Sequence, residues 1–95
     1  MVDTRDSRDR LAEGVIPGSI WIQRNQLEWR VDTTSELPDH RISDPRLTLI
    51  VVCSDGYSSS LAAASLVDIG FDAAGDVVGG FRAWKAAGLP VDPAH

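Results

Sequence analysis

The chain carries a single thiol, Cys53, followed by Ser54, Asp55, Gly56, Tyr57, Ser58 and Ser59 in the stretch CSDGYSS. A thiolate at the end of a buried strand, just before a helix, meets the partial positive charge of that helix's N-terminus. Gly56 can take backbone angles that turn several loop N–H groups toward one point, which stabilises the thiolate and any anion delivered to it. The pattern therefore suits a reactive cysteine. A small apolar residue closing a buried strand would look the same, and spacing alone leaves both readings open.

The flanking elements must supply that mount. LTLIVVC, Leu47 to Cys53, is an apolar, β-branched run that fits a strand buried on both faces. SSSLAAASLVDIGF follows, with serine capping candidates, a helix starting near Ser58 or Ser59, Leu61, Ala64, Leu66 and Ile69 inward, and Gly70 at its end. GDVVGGF contributes a short strand over Asp76 to Val78. GFRAWKAAG contributes a last helix that pairs Phe81 with Trp84 in the core and closes at Gly88. Upstream, the pattern predicts a helix over Ser7 to Glu13 with Ser7 as N-cap and Gly14 beyond it, and a strand over Ile20 to Ile22. A helix over Asn25 to Val31 puts Leu27 and Val31 on one face. DTTSELPDHRISDPR reads as surface loop with at most one helical turn. Strands alternating with helices predict an α/β fold with a parallel sheet, because parallel strands need crossover connections. Its ligand edge lies at the C-terminal ends of the strands, where Cys53 falls.

Composition narrows the function. The 95 residues carry a net charge of −5 and no Lys/Arg cluster, which argues against nucleic acid as a partner. One cysteine and two distant histidines supply no metal-ligand cluster, and an unpaired thiol fits a reducing, cytoplasmic setting. The sequence predicts neither a signal peptide nor a membrane span. His40 and His95 read as solvent-facing, so no Cys/His pair points to a hydrolase. Trp21, Trp29 and Trp84 read mainly as packing, with Trp29 a candidate for the rim of the site, and Tyr57 shapes its entrance. The alternating Asp and Arg residues from Thr4 to Arg10 read as a solvated helix face. A phosphate cradle of the Cys-x5-Arg type would need arginine where Ser59 stands, which disfavours phosphatase or arsenate-reductase chemistry.

Four motifs in order resemble the rhodanese family of single-domain sulfurtransferases. DTR, Asp3 to Arg5, is similar to the family's Asp-x-Arg near its first core strand. EGVIPGSI, Glu13 to Ile20, is similar to its Glu-Gly-His-Ile-Pro-Gly-Ala segment, with Val15 in place of the histidine. CSDGYSSSLAAASLVDIGF resembles the active-site loop and following helix, and VVGGFRAWKAAGLPV, Val77 to Val91, the closing signature. The resemblance implies one rhodanese-like domain over residues 1–95, with a mostly parallel sheet of four to five strands covered by helices on both faces. Only Met1 and Val2 precede Asp3, so either an N-terminal edge strand is missing or the natural chain starts upstream.

The resemblance also implies a mechanism. Cys53 would take sulfane sulfur from thiosulfate or a persulfide, hold it as a persulfide, and pass it to a thiol or cyanide acceptor, with no metal or organic cofactor. Ser54, Asp55, Gly56, Tyr57, Ser58 and Ser59 would form the substrate cradle, and Asp3 and Arg5 a supporting ion pair; a solvated pair at the N-terminus is the alternative. Many members have arginine where Ser58 stands, and some carry a loop cation where this chain has Asp55. A carboxylate near the thiolate raises the thiol pKa and repels a dianion, which disfavours thiosulfate as donor. The competing function is a rhodanese-fold sulfur carrier or protein-binding module, including one that serves a sulfur-accepting protein. The expected assembly is a monomer or a weak dimer through an exposed edge strand.

Overall fold

The computed structural model describes residues 1–94; the expectation for His95 lies outside them. The sheet is built on β3, Ile50–Val52, which pairs in parallel with β1, Val2–Asp3, on one side and β4, Gly75–Asp76, on the other. β2, Ile20–Trp21, pairs in parallel with β1, giving the order β2-β1-β3-β4. The fold is α/β with a four-stranded parallel sheet flanked by helices, as the alternation predicts.

Side chains alternate across a strand, so neighbouring residues of β1 and β3 serve opposite faces. Val2 and Val51 are register partners and enter one core, which holds Leu27 and Val31 of α2, Leu27–Val31, and Ala62 and Leu66 of α3, Tyr57–Asp68. Asp3 and Val52 are the next register pair and face the other way. Val52 packs with Ile16 and with Phe81 of α4, Gly80–Ala86. Trp84 is partly buried against that second cluster, with its indole Nε1 donating to Pro90 O at 2.8 Å, so it is less of a core residue than Phe81.

Several expected boundaries shift. α1, Ser7–Glu13, is capped by Asp6, whose carboxylate accepts from Asp9 N at 2.8 Å, rather than by Ser7; Gly14 closes it with φ of 91°. A 3-10 turn, Arg24–Gln26, leads into α2 in place of one continuous helix from Asn25. Leu47 to Cys53 contributes only Ile50–Val52 as strand, because the chain enters through a turn in which Leu47 N donates to Asp44 O. β4 ends at Asp76, and Val78 is 89% exposed, because Gly79 and Gly80 with positive φ swing the chain into α4. The polar segment after α2 forms turns without a helix, yet Ile42 within it is buried in the core.

The phase of α3 is the largest correction. Of Leu61, Ala64, Leu66 and Ile69, only Leu66 is buried; Leu61 is 55% exposed and Ile69 46%. The inward face is instead Ser59, Ala62, Ala63 and Leu66. Small residues there let the helix lie close on β3 and β4, which strict hydrophobicity does not signal.

Candidate active site

The loop between β3 and α3 is clamped from beneath. Phe81 N donates to Cys53 O at 2.7 Å and Arg82 N to Ser54 O at 3.1 Å, so the first-turn amides of α4 find their partners in the loop carbonyls. A Cβ on Gly80 would sit 2.5 Å from Cys53 O and 2.6 Å from Ser54 O, and one on Gly56 would sit 2.9 Å from Gly79 N. The glycine pair of the closing signature therefore does more than turn the chain: it allows the backbone of α4 to touch the loop.

With its carbonyls held by α4, the loop turns amides to the sulfur. Gly56 N donates to Cys53 Sγ at 3.1 Å and Ser59 N at 3.3 Å, and Ser59 Oγ lies 3.2 Å from Sγ. Gly56 takes the left-handed conformation, φ 91°, directly before α3, which begins at Tyr57 rather than at Ser58 or Ser59. Cys53 is 7% exposed. Burial pushes its thiol pKa up, but the Ser59 hydroxyl and the amides of Ser59, Gly56 and Asp55 outweigh it, leaving the pKa below its ordinary value. The expectation that Asp55 raises it is overturned. The Asp55 carboxylate turns away to Arg82, whose Nη1 lies 2.7 and 2.8 Å from its two oxygens, while its amide favours the thiolate. A cation from α4 thus balances the loop carboxylate, although Arg82 does not line the pocket over the sulfur.

Above the sulfur opens a pocket of about 280 Å³ lined by Cys53, Ser54, Asp55, Tyr57 and Ser58, together with Thr4, Arg5 and Asp9. Gly56 contributes its amide, Ser59 is fully buried behind the sulfur, and Tyr57 is 77% exposed at the rim. Trp29 does not line this pocket and stands 54% exposed on α2.

Asp3 and Arg5 do not form a solvated pair. Both are buried, with Arg5 Nε and Nη2 on the Asp3 carboxylate at 3.1 and 2.9 Å, Nη2 on Gly14 O at 2.7 Å, and the guanidinium over the Phe81 ring at 3.9 Å. Arg10 likewise leaves the expected solvated face: it lies over Trp21 and 3.4 Å from Asp3. Thr4, between the paired residues, fastens β1 to β3 by donating through N and Oγ1 to Val52 O at 2.9 and 3.0 Å.

Sequence reasoning missed Thr4, Asp9, Asp76 and Arg82. Thr4 was signalled by its place inside Asp-x-Arg. Asp76, from β4, and Arg82, from α4, come together with the loop only through tertiary packing, and nothing local marks them.

A thiol cradled by amides at the C-terminal edge of a parallel sheet defines a class of cysteine-loop α/β domain. The chain belongs to the rhodanese-like domain family, whose model matches residues 1–87. Over 47 residues it is 45% identical to a thiosulfate sulfurtransferase GlpE of Actinobacillus pleuropneumoniae, a match covering 50% of this chain and 44% of the relative. The GlpE of Vibrio cholerae is 46% identical over 44 residues, 46% of this chain and 42% of the relative. The matches thus span under half of these curated relatives. Among solved structures, a Rhodopseudomonas palustris protein of unknown function, described as a possible tyrosine phosphatase, superposes with a TM-score of 0.91 at 34% identity, covering 96% of this chain and 68% of its own. A rhodanese-like domain of an Anabaena protein gives 0.76 at 26% identity, covering 99% and 90%.

Proposed function

We propose that the chain is a sulfurtransferase in which Cys53 carries sulfane sulfur as a persulfide. The observation that supports this best is the sulfur of Cys53, a residue only 7% exposed, contacted by one loop amide, one amide of the first turn of α3 and one hydroxyl, and opening on a pocket. The thiolate attacks the outer sulfur of a donor; with thiosulfate the S–S bond breaks and sulfite departs with its electron pair. The outer sulfur then bears the negative charge of the new persulfide. An acceptor thiolate or cyanide attacks that outer sulfur, forms the new bond to it, and returns Cys53 as thiolate. Charge balances in both steps, and no cofactor enters.

Ser54 to Ser59 form the cradle, and the buried Asp3–Arg5 pair supports it from β1. The partners are a small sulfur donor and a thiol or cyanide acceptor, with a sulfur-accepting protein as a further candidate, and a lone thiol suits the reducing cytoplasm. A phosphatase reading, raised by one structural neighbour's description, lacks its arginine: Ser59 stands at that position and Arg82 is engaged with Asp55.

Intact-protein mass measured after thiosulfate or a neutral persulfide donor, then after a thiol acceptor, tests the reading. The expected result is a gain of one sulfur that is lost to the acceptor and absent in Cys53→Ser. Loading without discharge would make the chain a carrier. No loading from either donor would overturn the proposal and leave a binding module.

A further inference from the structure

The Ser59 hydroxyl stands between two acceptors. It lies 3.2 Å from Cys53 Sγ and 3.4 Å from Asp76 Oδ2, and Ser59 is fully buried. A hydroxyl has one proton to donate. While Cys53 is a thiol, its S–H donates to Ser59 Oγ and Ser59 donates to Asp76. A thiolate has no proton to give, so Ser59 must turn its own proton onto the sulfur and release Asp76.

We infer that Asp76 is a positioning residue that competes with the Cys53 sulfur for the Ser59 proton and so sets the balance between thiol and thiolate. The inference rests on Cys53 as the reacting thiol. In the persulfide the charge moves to the outer sulfur, and the Ser59 proton returns to Asp76. The hydroxyl thereby follows the charge through the cycle, favouring Sγ when it is the nucleophile and again when it is the leaving group.

Other charged groups surround the thiol without contacting Ser59. Asp9 of α1 and Asp55 of the loop line the pocket, Asp55 is paired with Arg82 of α4, and Arg5 is committed to Asp3 beside β1. Tyr57 lines the rim. The Ser59–Asp76 contact is long for an O–H···O bond, so its effect is modest in size.

The test is the pH profile of Cys53 alkylation by neutral iodoacetamide, in the intact chain and in Asp76→Asn, Ser59→Ala and the double variant. Cys53 is the only cysteine, so the signal belongs to one site. Asn keeps the size of Asp76, is a weaker acceptor, and can turn its amide N–H toward Ser59 Oγ, freeing the hydroxyl for sulfur. Below the thiol pKa, Asp76→Asn is expected to react about three- to tenfold faster, a fall of up to about one pKa unit. Ser59→Ala is expected to react more slowly, and Asp76→Asn to give no further acceleration in its background.

Equal acceleration with and without Ser59 would mean that Asp76 acts only by its charge and would overturn the shared-proton inference. No acceleration in either background would make Asp76 structural and overturn it as well. Titrating the thiolate by its ultraviolet absorbance reads the same balance without a reagent. Neither measurement uses a sulfur donor, so failure of sulfur loading and failure of this inference are separable.

Discussion

Residue by residue, burial decides which of several identical motifs matters. Asp-x-Arg occurs four times: at Asp3–Arg5, Asp39–Arg41 and Asp44–Arg46 the arginine amide and Nε bind one carboxylate oxygen while Nη2 binds the other, whereas at Asp6–Arg8 the carboxylate caps α1 instead. Side-chain exposure of arginine and aspartate is 1% and 1% in the first pair, but 64% and 13% in the second and 90% and 39% in the third. The local motif therefore permits the ring but fixes neither its formation nor its worth. Removing one charge from a buried pair leaves the other uncompensated, so Asp3→Asn is expected to cost about 3–5 kcal/mol in denaturant unfolding. Asp44→Asn should leave the midpoint where it was, since solvent screens an exposed pair. Equal midpoints for the two variants would show that the buried pair is not a determinant of stability. The place of Cys53 between β3 and α3 was legible from its loop, but the sign of Asp55's influence was not. A carboxylate's effect depends on where it points, and Arg82, distant in sequence, turns it away from the sulfur.

Among the elements, the motifs that appear separate in sequence prove to be one contact. β3 and α3 present the thiol, but α4 holds the loop by Phe81 N and Arg82 N, and Gly80 is where the two backbones meet. The α/β class and the parallel sheet were legible because strands alternate with helices along the chain, whereas the strand order β2-β1-β3-β4 was not. The phase of α3 was not, because its buried face is Ser59 and alanines chosen for close approach and for the site. Gly80, at φ 67°, combines a left-handed conformation with carbonyl oxygens where a Cβ would go. Gly80→Ala should destabilise the fold by about 2 kcal/mol or more and depress sulfur uptake by Cys53 further than the unfolded fraction explains. Gly88→Ala supplies the control: its φ is 76° but its Cβ meets nothing within 4 Å, so it should show the backbone strain without the loss of uptake. Matching losses of uptake in the two variants would detach α4 from the site.

At the level of the whole molecule, charge bears on the choice of sulfur donor. The chain carries −5 overall, and the pocket presents Asp9 and Asp55 against an Arg5 whose bonds go to Asp3 and Gly14 O. Loop amides and the N-terminus of α3 attract an anion at the sulfur itself, but a dianion must first pass the carboxylates at the rim. Arg82 offsets Asp55, and no ion pair within 4.0 Å engages Asp9 among the described residues. Asp9→Asn should therefore speed loading from thiosulfate severalfold while changing loading from a neutral persulfide donor little. Arg82→Met, which leaves Asp55 unbalanced, should slow thiosulfate and spare the neutral donor. Arg82 is more than half exposed, so its effect should shrink as salt is raised toward 1 M, where charges are screened within about 3 Å. Initial rates of mass gain with both donors, at low and high ionic strength, give the comparison. Equal responses of the two donors to either substitution would mean that rim charge does not select the donor, leaving the amides around Cys53 as the source of selectivity.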